Sequence, residues 1–308
     1  MHYEEFRAMN SDIVLAASGE DQAAIEYGFL MARQFITECE KRFTRFSDTS
    51  ELAQINRAAG GWFQLSDEMF QVIHEAYRLA NETDGLFNLA ILTALKQIGY
   101  DRSIDEIRNS SPPIESPQIV EKHDFRLIQL DLVTKSILLP PGMQLDLGGI
   151  AKGWIAQQTA LQLAKVSKAC AVSAGGDMFL INLPDGASDW EVSLENPLEP
   201  DEDLAVLHVL PGAVATSSIT KRRWMHNGDR QHHLIDPRTG RPVLTDWLSA
   251  TVWAENAAEA EVYAKVLLIS GPQTADDLFR DQTTKAYLAV DKHGWVTGSY
   301  NYHEVFHV

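Results

Sequence analysis

Asp146-Leu147-Gly148-Gly149-Ile150-Ala151-Lys152-Gly153 is the stretch on which the reading of this chain turns. Paired glycines let a ligand approach the backbone, and the helix opening here offers N–H groups without intrahelical partners beside the Lys152 ammonium. That combination suits a phosphate. The spacing is neither the GxxxxGK[ST] of a P-loop nor the GxGxxG of a dinucleotide-binding turn, so neither nucleotide fold follows from it. Taken alone, the stretch reads equally well as a tight strand-to-helix turn with a solvated lysine.

Upstream of it, 125–130 and 136–139 read as paired strands. Before them, 102–122 is polar and carries Ser110-Ser111-Pro112-Pro113 and Ser116-Pro117, which suits a surface connection and sets an expected lobe boundary around 102–123. Nearer the N-terminus a strand at 13–16 leads to Ile25, Phe29, Ala32, Ile36, Cys39 and Phe43 at helical spacing, behind Ser18 and Asp21 in a capping-box-like arrangement. A second helix follows Ser66, with Met69, Val72, Ile73, Ala76 and Ala80 on one face, and stops at Thr83-Asp84-Gly85. Downstream the chain is richer in strands, at 169–173, 178–181, 190–194, 205–210 and 249–253. A hairpin turns at Asn227-Gly228, a helix covers 257–269, and a last hairpin joins 286–290 to 295–299 through Lys292-His293-Gly294. No internal repeat or low-complexity tract is visible.

The 308 residues are 45% hydrophobic and 22% charged, enough to bury a substantial core in one or two domains. With 26 Lys+Arg against 43 Asp+Glu the net charge is -17, which argues against nucleic acid as a partner and against anionic membranes. An anion binds such a chain only where local donors outweigh the global sign. Cys39 and Cys170 form neither a disulfide framework nor a zinc motif. Met1–Phe6 carries no basic and apolar leader pattern, and no run approaches the ~18 apolar residues of a membrane span, so no membrane insertion and a cytoplasmic location are expected.

Three further segments carry polar chemistry. Gly175-Gly176-Asp177 lies between two candidate strands, where glycine marks a close backbone approach. Ala171-Val172-Ser173-Ala174-Gly175 falls one residue short of a GxSxG nucleophile elbow, but a strand pattern rather than a helix follows it. His232-His233-Leu234-Ile235-Asp236-Pro237-Arg238-Thr239-Gly240 places one imidazole toward a pocket and its neighbour away. A zinc site from His226, His232 and His233 finds no support in that alternation.

Taken in order, these segments resemble the FAD:protein FMN transferase family, the ApbE-like flavin transferases. Arg45-Phe46-Ser47 with Ser50-Glu51-Leu52 and Asn56 is similar to the family's R-F-x-x-x-S-E-L-x-x-x-N signature, and Asp84–Asn88 to its G-x-F-D-P-T segment. Asp146–Gly153 matches D-L-G-G-I-A-K-G in full. Ser173–Asp177, Ala215-Thr216-Ser217 and His233–Gly240 resemble its Gly-Gly-Asp turn, A-T-S-G and H-x-I-D-P-x-T-G motifs.

The resemblance implies an α+β, T-fold-like, two-lobed architecture with mixed or antiparallel sheets and packed helices, spanning 1–308 as a single unit. It implies FAD as substrate, Mg²⁺ at the pyrophosphate, and a target flavoprotein whose Ser or Thr receives FMN through a phosphodiester as AMP leaves. By position it places Met9 with Phe46 or Phe87 near the flavin and gives Asp146 a hydrogen bond to the cofactor. Lys152, Gly175, Gly176, Thr216 and Ile235 join the cofactor-binding set. His233, near the reacting phosphate, is implied in both binding and proton transfer; the Ala151 carbonyl and Glu261 are implied as metal ligands, with Glu261 also catalytic.

The pattern departs most in the late helix, where the family's A-D-x-x-A-T reads Ala260-Glu261-Val262-Tyr263-Ala264-Lys265. Glu261 keeps a carboxylate one methylene farther out, whereas a protonated Lys265 cannot ligate Mg²⁺. Either Lys265 supplies charge near the phosphates and weakens or replaces the metal, or it snorkels to solvent. Asn10-Ser11, Asn88-Leu89-Ala90, Gln157 and Ser218 also depart from the family pattern. An FAD-binding homologue with impaired transfer, acting as carrier or regulator, is therefore the alternative function, and a hydrolase built on Ser173 is a third.

Overall fold

A computed structural model describes residues 1–109, 122–199, 201–280 and 284–307. They divide into two units: Met1–Glu40 with Ile150–Ser218 and Asp246–Val308, and Lys41–Gly149 with Ile219–Thr245. The chain thus passes between units after residues 40, 149, 218 and 245, and the Asp146–Gly153 stretch is itself one of these passages. Of the expected boundary at 102–123, residues 110–121 lie outside the described residues.

The first unit is built on an eight-stranded sheet whose strands follow one another in chain order: β1 His2–Ala8, β2 Ser11–Ser18, β3 Ala169–Ala174, β4 Asp177–Ile181, β5 Gly212–Ser218, β6 Trp247–Ala254, β7 Lys285–Asp291 and β8 Val296–Gly298. Every neighbouring pair is antiparallel. Helices Ala151–Leu163 and Ala257–Ser270 pack on this sheet and on each other. Both are buried over most of their circumference, so neither shows the one-sided pattern of a surface helix. Leu180, Val214, Ala286 and Leu288 form a separate core with Val192, Leu194, Leu207, Val209 and Phe306. The latter come from a three-stranded sheet of Trp190–Glu195, Asp203–Val209 and Phe306–His307.

Helix Gln22–Phe43 buries all six of its predicted core residues. Asp21 caps it by accepting from the Ala24 N–H at 3.0 Å, while the Ser18 hydroxyl instead accepts from Ala169 N at 3.0 Å and ties β2 to β3.

The second unit contains helices Glu51–Arg57, Asp67–Glu82, Leu92–Gln97 and Ile104–Arg108 and a three-stranded sheet of Trp62–Gln64, Gln129–Asp131 and Ser136–Leu138. Ser50, Ser66 and Ser103 each cap a helix through their side chains, as an oxygen beside orphan N–H donors should. The Asn227-Gly228 hairpin forms as expected, with φ of 51° and 85°.

Two expectations are corrected. Residues 125–127 form a 3₁₀ turn, and the strand starts only at Gln129, because Phe125 points into the core at 2% exposure while its neighbours Arg126 and Leu127 are exposed. Within the expected surface connection, Ile104–Arg108 is a helix with a reciprocal Ser103–Glu106 capping box, and it buries Ile104 and Ile107 against Trp224 and Tyr100. The strand pattern that argued against an elbow at Ser173 is present: Ser173 sits inside β3, paired with Val14 and Met178, and Gly175-Gly176 turns the chain into β4 rather than into a helix. Strands β1 and β5 and helix Pro272–Phe279 add to the sequence reading. No helix among the described residues is long and apolar enough to cross a membrane.

Candidate functional site

In the second unit the site is organised around the start of the glycine-rich stretch. The Asn56 side chain donates to Leu145 O at 3.0 Å and accepts from Leu145 N at 2.7 Å, the two-way grip that a carboxamide can make on a backbone. One residue later, Asp146 N donates to Leu89 O at 2.9 Å. The Asp146 carboxylate is held by Arg45 Nε at 3.2 Å on Oδ2 and by Gly148 N at 2.9 Å on Oδ1. Arg45 also donates to Tyr100 O at 2.9 Å, and its guanidinium lies 4.6 Å from the Phe46 ring centre and 4.3 Å from that of Tyr100. A planar, permanently charged fork held against the faces of two inclined rings leaves Asp146 with little rotational freedom. Arg45, quoted above only as part of a signature, is thus the positioning residue for Asp146. Phe46 itself is half exposed, and Phe87 is buried.

The H-x-I-D-P-x-T-G segment lies in the same unit. The Asp236 carboxylate accepts from Arg238 N, Nε and Nη2, each at 2.9 Å, and Gly240 N donates to Asp236 O at 2.7 Å. These bonds fix the turn that follows the histidines. His232 Nδ1 accepts from Leu234 N at 3.3 Å and its Nε2 faces Val243 O at 3.1 Å, an arrangement that suits the neutral Nε2–H tautomer. Burial lowers its pKa, against that hydrogen bond. His232 and His233 are both half-buried, and His233 Nδ1 is itself a buried atom, so the expected inward–outward alternation is not seen in their burial. Ile235 is 2% exposed and packs with Trp224 and Tyr100, so only its backbone is available to a ligand. Among the described residues no three His, Cys, Asp or Glu side chains converge as a metal-binding group, which removes support for the His226, His232, His233 zinc reading.

In the first unit, the register of the sheet brings Met9, Gly175, Gly176 and Thr216 to one end. The Met9-Asn10 turn joins β1 to β2, the Gly175-Gly176 turn joins β3 to β4, and Thr216 runs two residues past the Val214–Met178 pair. Both turns need left-handed backbone: φ is 55° and 53° at Met9 and Asn10, and 64° and 92° at Gly175 and Gly176. At Gly175 a Cβ would stand 2.7 Å from Ser11 Oγ, so glycine is required there twice over. Thr216 Oγ1 lies 2.8 Å from Thr251 Oγ1 across the strands.

Beside this end lies a buried ion cluster drawn from three segments. Lys152, in the first turn of its helix, binds the Asp177 carboxylate and stands 3.3 Å from Glu261 Oε1. Lys265 Nζ lies 3.1 Å from the same Oε1 and 3.2 Å from Glu261 O, and Gly153 N donates to Oε2 at 2.8 Å. Glu261 is wholly buried and Asp177 is 2% exposed. Burial alone would raise the Glu261 pKa, but attraction to Lys152 and Lys265 and the Gly153 N–H outweigh it and hold the carboxyl below its usual range. The two helices carrying the cluster touch so closely at Gly153 that a Cβ there would stand 2.4 Å from Ala257 O. Gln157 Oε1 accepts from Ala257 N at 2.8 Å and joins the same two helices one turn on.

A family model described as the ApbE family matches residues 10–288. The chain belongs to the ApbE family. An ApbE relative named FAD:protein FMN transferase from Klebsiella pneumoniae (strain 342) is 30% identical over 267 residues, covering 84% of this chain and 79% of the relative. One of the same name from Treponema pallidum (strain Nichols) is 29% identical over 283 residues, covering 86% and 76%. The ApbE protein of Thermotoga maritima shares the fold with a TM-score of 0.81 at 22% identity, over 98% of this chain and 99% of that one. The flavin transferase ApbE of Vibrio cholerae shares it at 0.79 and 18%, over 99% and 98%. The α+β class expected from the sequence is that of these ApbE structures.

Of the positions that the ApbE resemblance singled out, Met9, Ala151, Lys152, Gly175, Gly176, Thr216 and Glu261 lie in the first unit, and Phe46, Phe87, Asp146, His233 and Ile235 in the second. Asp177 was not singled out, although it follows the glycine pair; its 2% exposure and its bond to Lys152 give it a role that no local pattern advertises.

Proposed function

We propose that this chain is an FAD:protein FMN transferase that cleaves FAD and attaches FMN through a phosphodiester to a Ser or Thr of a target flavoprotein, releasing AMP. The observation that carries the reading is the ordered motif set of an ApbE family member, in which Lys152 of the glycine-rich stretch is a structured, buried-side ammonium rather than a solvated one. In the reaction the acceptor hydroxyl oxygen bonds to the FMN-side phosphorus, and the bond from that phosphorus to the bridging oxygen breaks. AMP leaves with the electron pair, and the hydroxyl proton passes to a base. Such a transfer needs in-line positioning and charge neutralisation more than a covalent nucleophile.

Lys152 neutralises phosphate charge, Asp177 holds its ammonium in place, and His233 takes the role of proton carrier. The Met9-Asn10 and Gly175-Gly176 turns and Thr216 bind FAD through backbone and hydroxyl groups, as do Asp146 and the Ile235 backbone, with Phe46 and Phe87 toward the flavin. Mg²⁺ enters through the family resemblance. Its implied donors are Ala151 O and the Glu261 carboxylate, but each carboxylate oxygen already faces an N–H donor, and one faces two ammonium groups. That donor set does not fit a hard dication that demands oxygen ligands in near-octahedral array, and no step is routed through it. Glu261 acts in this reading by holding the two lysines. The lysine at 265 is also what favours a second reading, an FAD-holding carrier without efficient transfer.

The test is incubation with FAD and a flavoprotein acceptor, following AMP by chromatography and acceptor mass by intact mass spectrometry. AMP together with a mass gain of one FMN less water supports the transferase. FAD binding with neither product, across acceptors that a proven family member modifies, leaves the carrier reading.

A further inference from the structure

We propose that the Lys265 ammonium takes the place of a divalent cation beside Glu261, so that the pyrophosphate of FAD is held by two lysines, Lys152 and Lys265, without Mg²⁺. The inference rests on the reading that this site handles FAD, and it concerns residues whose geometry is independent of turnover.

Lys265 does not snorkel. One helical turn beyond Glu261, its side chain is 13% exposed and curls back onto Glu261 Oε1 at 3.1 Å and Glu261 O at 3.2 Å. Lys152 meets the same Oε1 at 3.3 Å from the neighbouring helix, and Gly153 N occupies Oε2. A dication seeking either oxygen would enter the repulsive field of two ammonium groups. Before FAD binds, the two lysines and the two carboxylates, Asp177 and Glu261, sum to zero charge, so the cluster needs no resident cation for neutrality. Its polarity is also suited to an anion. Glu261 is fully buried, whereas the Lys152 and Lys265 side chains keep 16% and 13% exposure, so the two lysines are the members of the cluster that remain partly open to solvent.

The experiment uses the full chain, with Mn²⁺ as a paramagnetic probe read by electron paramagnetic resonance, with and without FAD, and with FAD affinity read by flavin fluorescence in Mg²⁺ or EDTA. The native chain is expected to bind no Mn²⁺ beyond an FAD-only control and to hold FAD within twofold in Mg²⁺ and EDTA. Lys265→Thr is expected to gain stoichiometric Mn²⁺, and its FAD affinity to rise about tenfold with Mg²⁺. Lys265→Met, which keeps the length of the side chain without its charge, is expected to lose FAD affinity about tenfold in EDTA. Stoichiometric Mn²⁺ on the native chain overturns the proposal, as does a Lys265→Thr chain that still excludes Mn²⁺ or a Lys265→Met chain with unchanged affinity. If Lys265→Thr does not fold, the native Mn²⁺ titration and Lys265→Met still decide. Metal-independent FAD binding with no AMP formed upholds this inference while sinking the transferase reading. A chain that binds no FAD fails that reading, and this inference with it.

Discussion

Replacing Gly153 by alanine separates two effects of opposite sign. Gly153 is an early residue of helix Ala151–Leu163, and by intrinsic propensity alanine there stabilises by up to about 1 kcal/mol. The added Cβ, however, would stand 2.4 Å from Ala257 O, 2.9 Å from Ala257 C and 3.2 Å from Glu261 Oε2. Two of these three atoms are backbone, so no rotamer change relieves the overlap. Helix Ala257–Ser270 must move away, and overpacking of this kind costs about 1–3 kcal/mol. The same movement lengthens the 2.8 Å bond from Gly153 N to Glu261, a hydrogen bond to a charged group that contributes about 1.5–3 kcal/mol. Sterics therefore win, with a net destabilisation of about 1.5–5 kcal/mol, the overpacking and lost hydrogen bond less the propensity gain. Thermal unfolding followed by circular dichroism should show Tm falling by several degrees, at about 2–4 °C per kcal/mol. A Gly153→Ala chain with unchanged or higher Tm would refute the contact between these helices and with it the placement of Glu261.

Three further outcomes follow from the same geometry. Lys152→Met strands the buried Asp177 carboxylate and should destabilise by about 3–5 kcal/mol, seen in denaturant unfolding, whereas Lys152→Met combined with Asp177→Leu should recover a large part of that loss. Arg45→Lys keeps the charge but loses the stacked fork that holds Asp146; flavin fluorescence should report FAD affinity about tenfold weaker, a change of about 1.4 kcal/mol, and unchanged affinity would remove Asp146 from the binding set. Because the Glu261 pKa is depressed in the fold, the unfolded carboxyl takes up its proton first as pH falls below about 4.5. Its stabilisation is complete above that range and is lost as pH falls toward the lower folded value, so unfolding of Glu261→Gln should show a flatter acid limb than the native chain below about pH 4.5.

What was legible in the sequence was local. Ser66 precedes a run with helical apolar spacing and is a side-chain cap; Asn227-Gly228 is a two-residue turn because both positions tolerate left-handed backbone. Helix Ile104–Arg108 carried a readable signal in Ser103 and Glu106, but its polar surroundings outweighed two isoleucines buried in a cluster that includes Trp224, more than a hundred residues on. Strand β1 alternates half-buried and exposed residues with Glu4 on its inward face, so its apolar contrast was too weak to read.

The motif order by itself determined the family, and with it the α+β class, because each motif is short and its residue types are fixed by backbone need or by chemistry. Only the tertiary structure decided what Asn56, Arg45 and Lys265 do. Asn56 grips Leu145 across 89 residues, Arg45 fixes Asp146 from an earlier segment, and Lys152, Asp177 and the Glu261–Lys265 pair meet from three places in the chain. Periodicity reports which face of an element is apolar, not which charges that face will meet. Whether a lysine one turn after a buried glutamate reaches solvent or folds back depends on the second helix that closes over it, and that is a property of the packed fold.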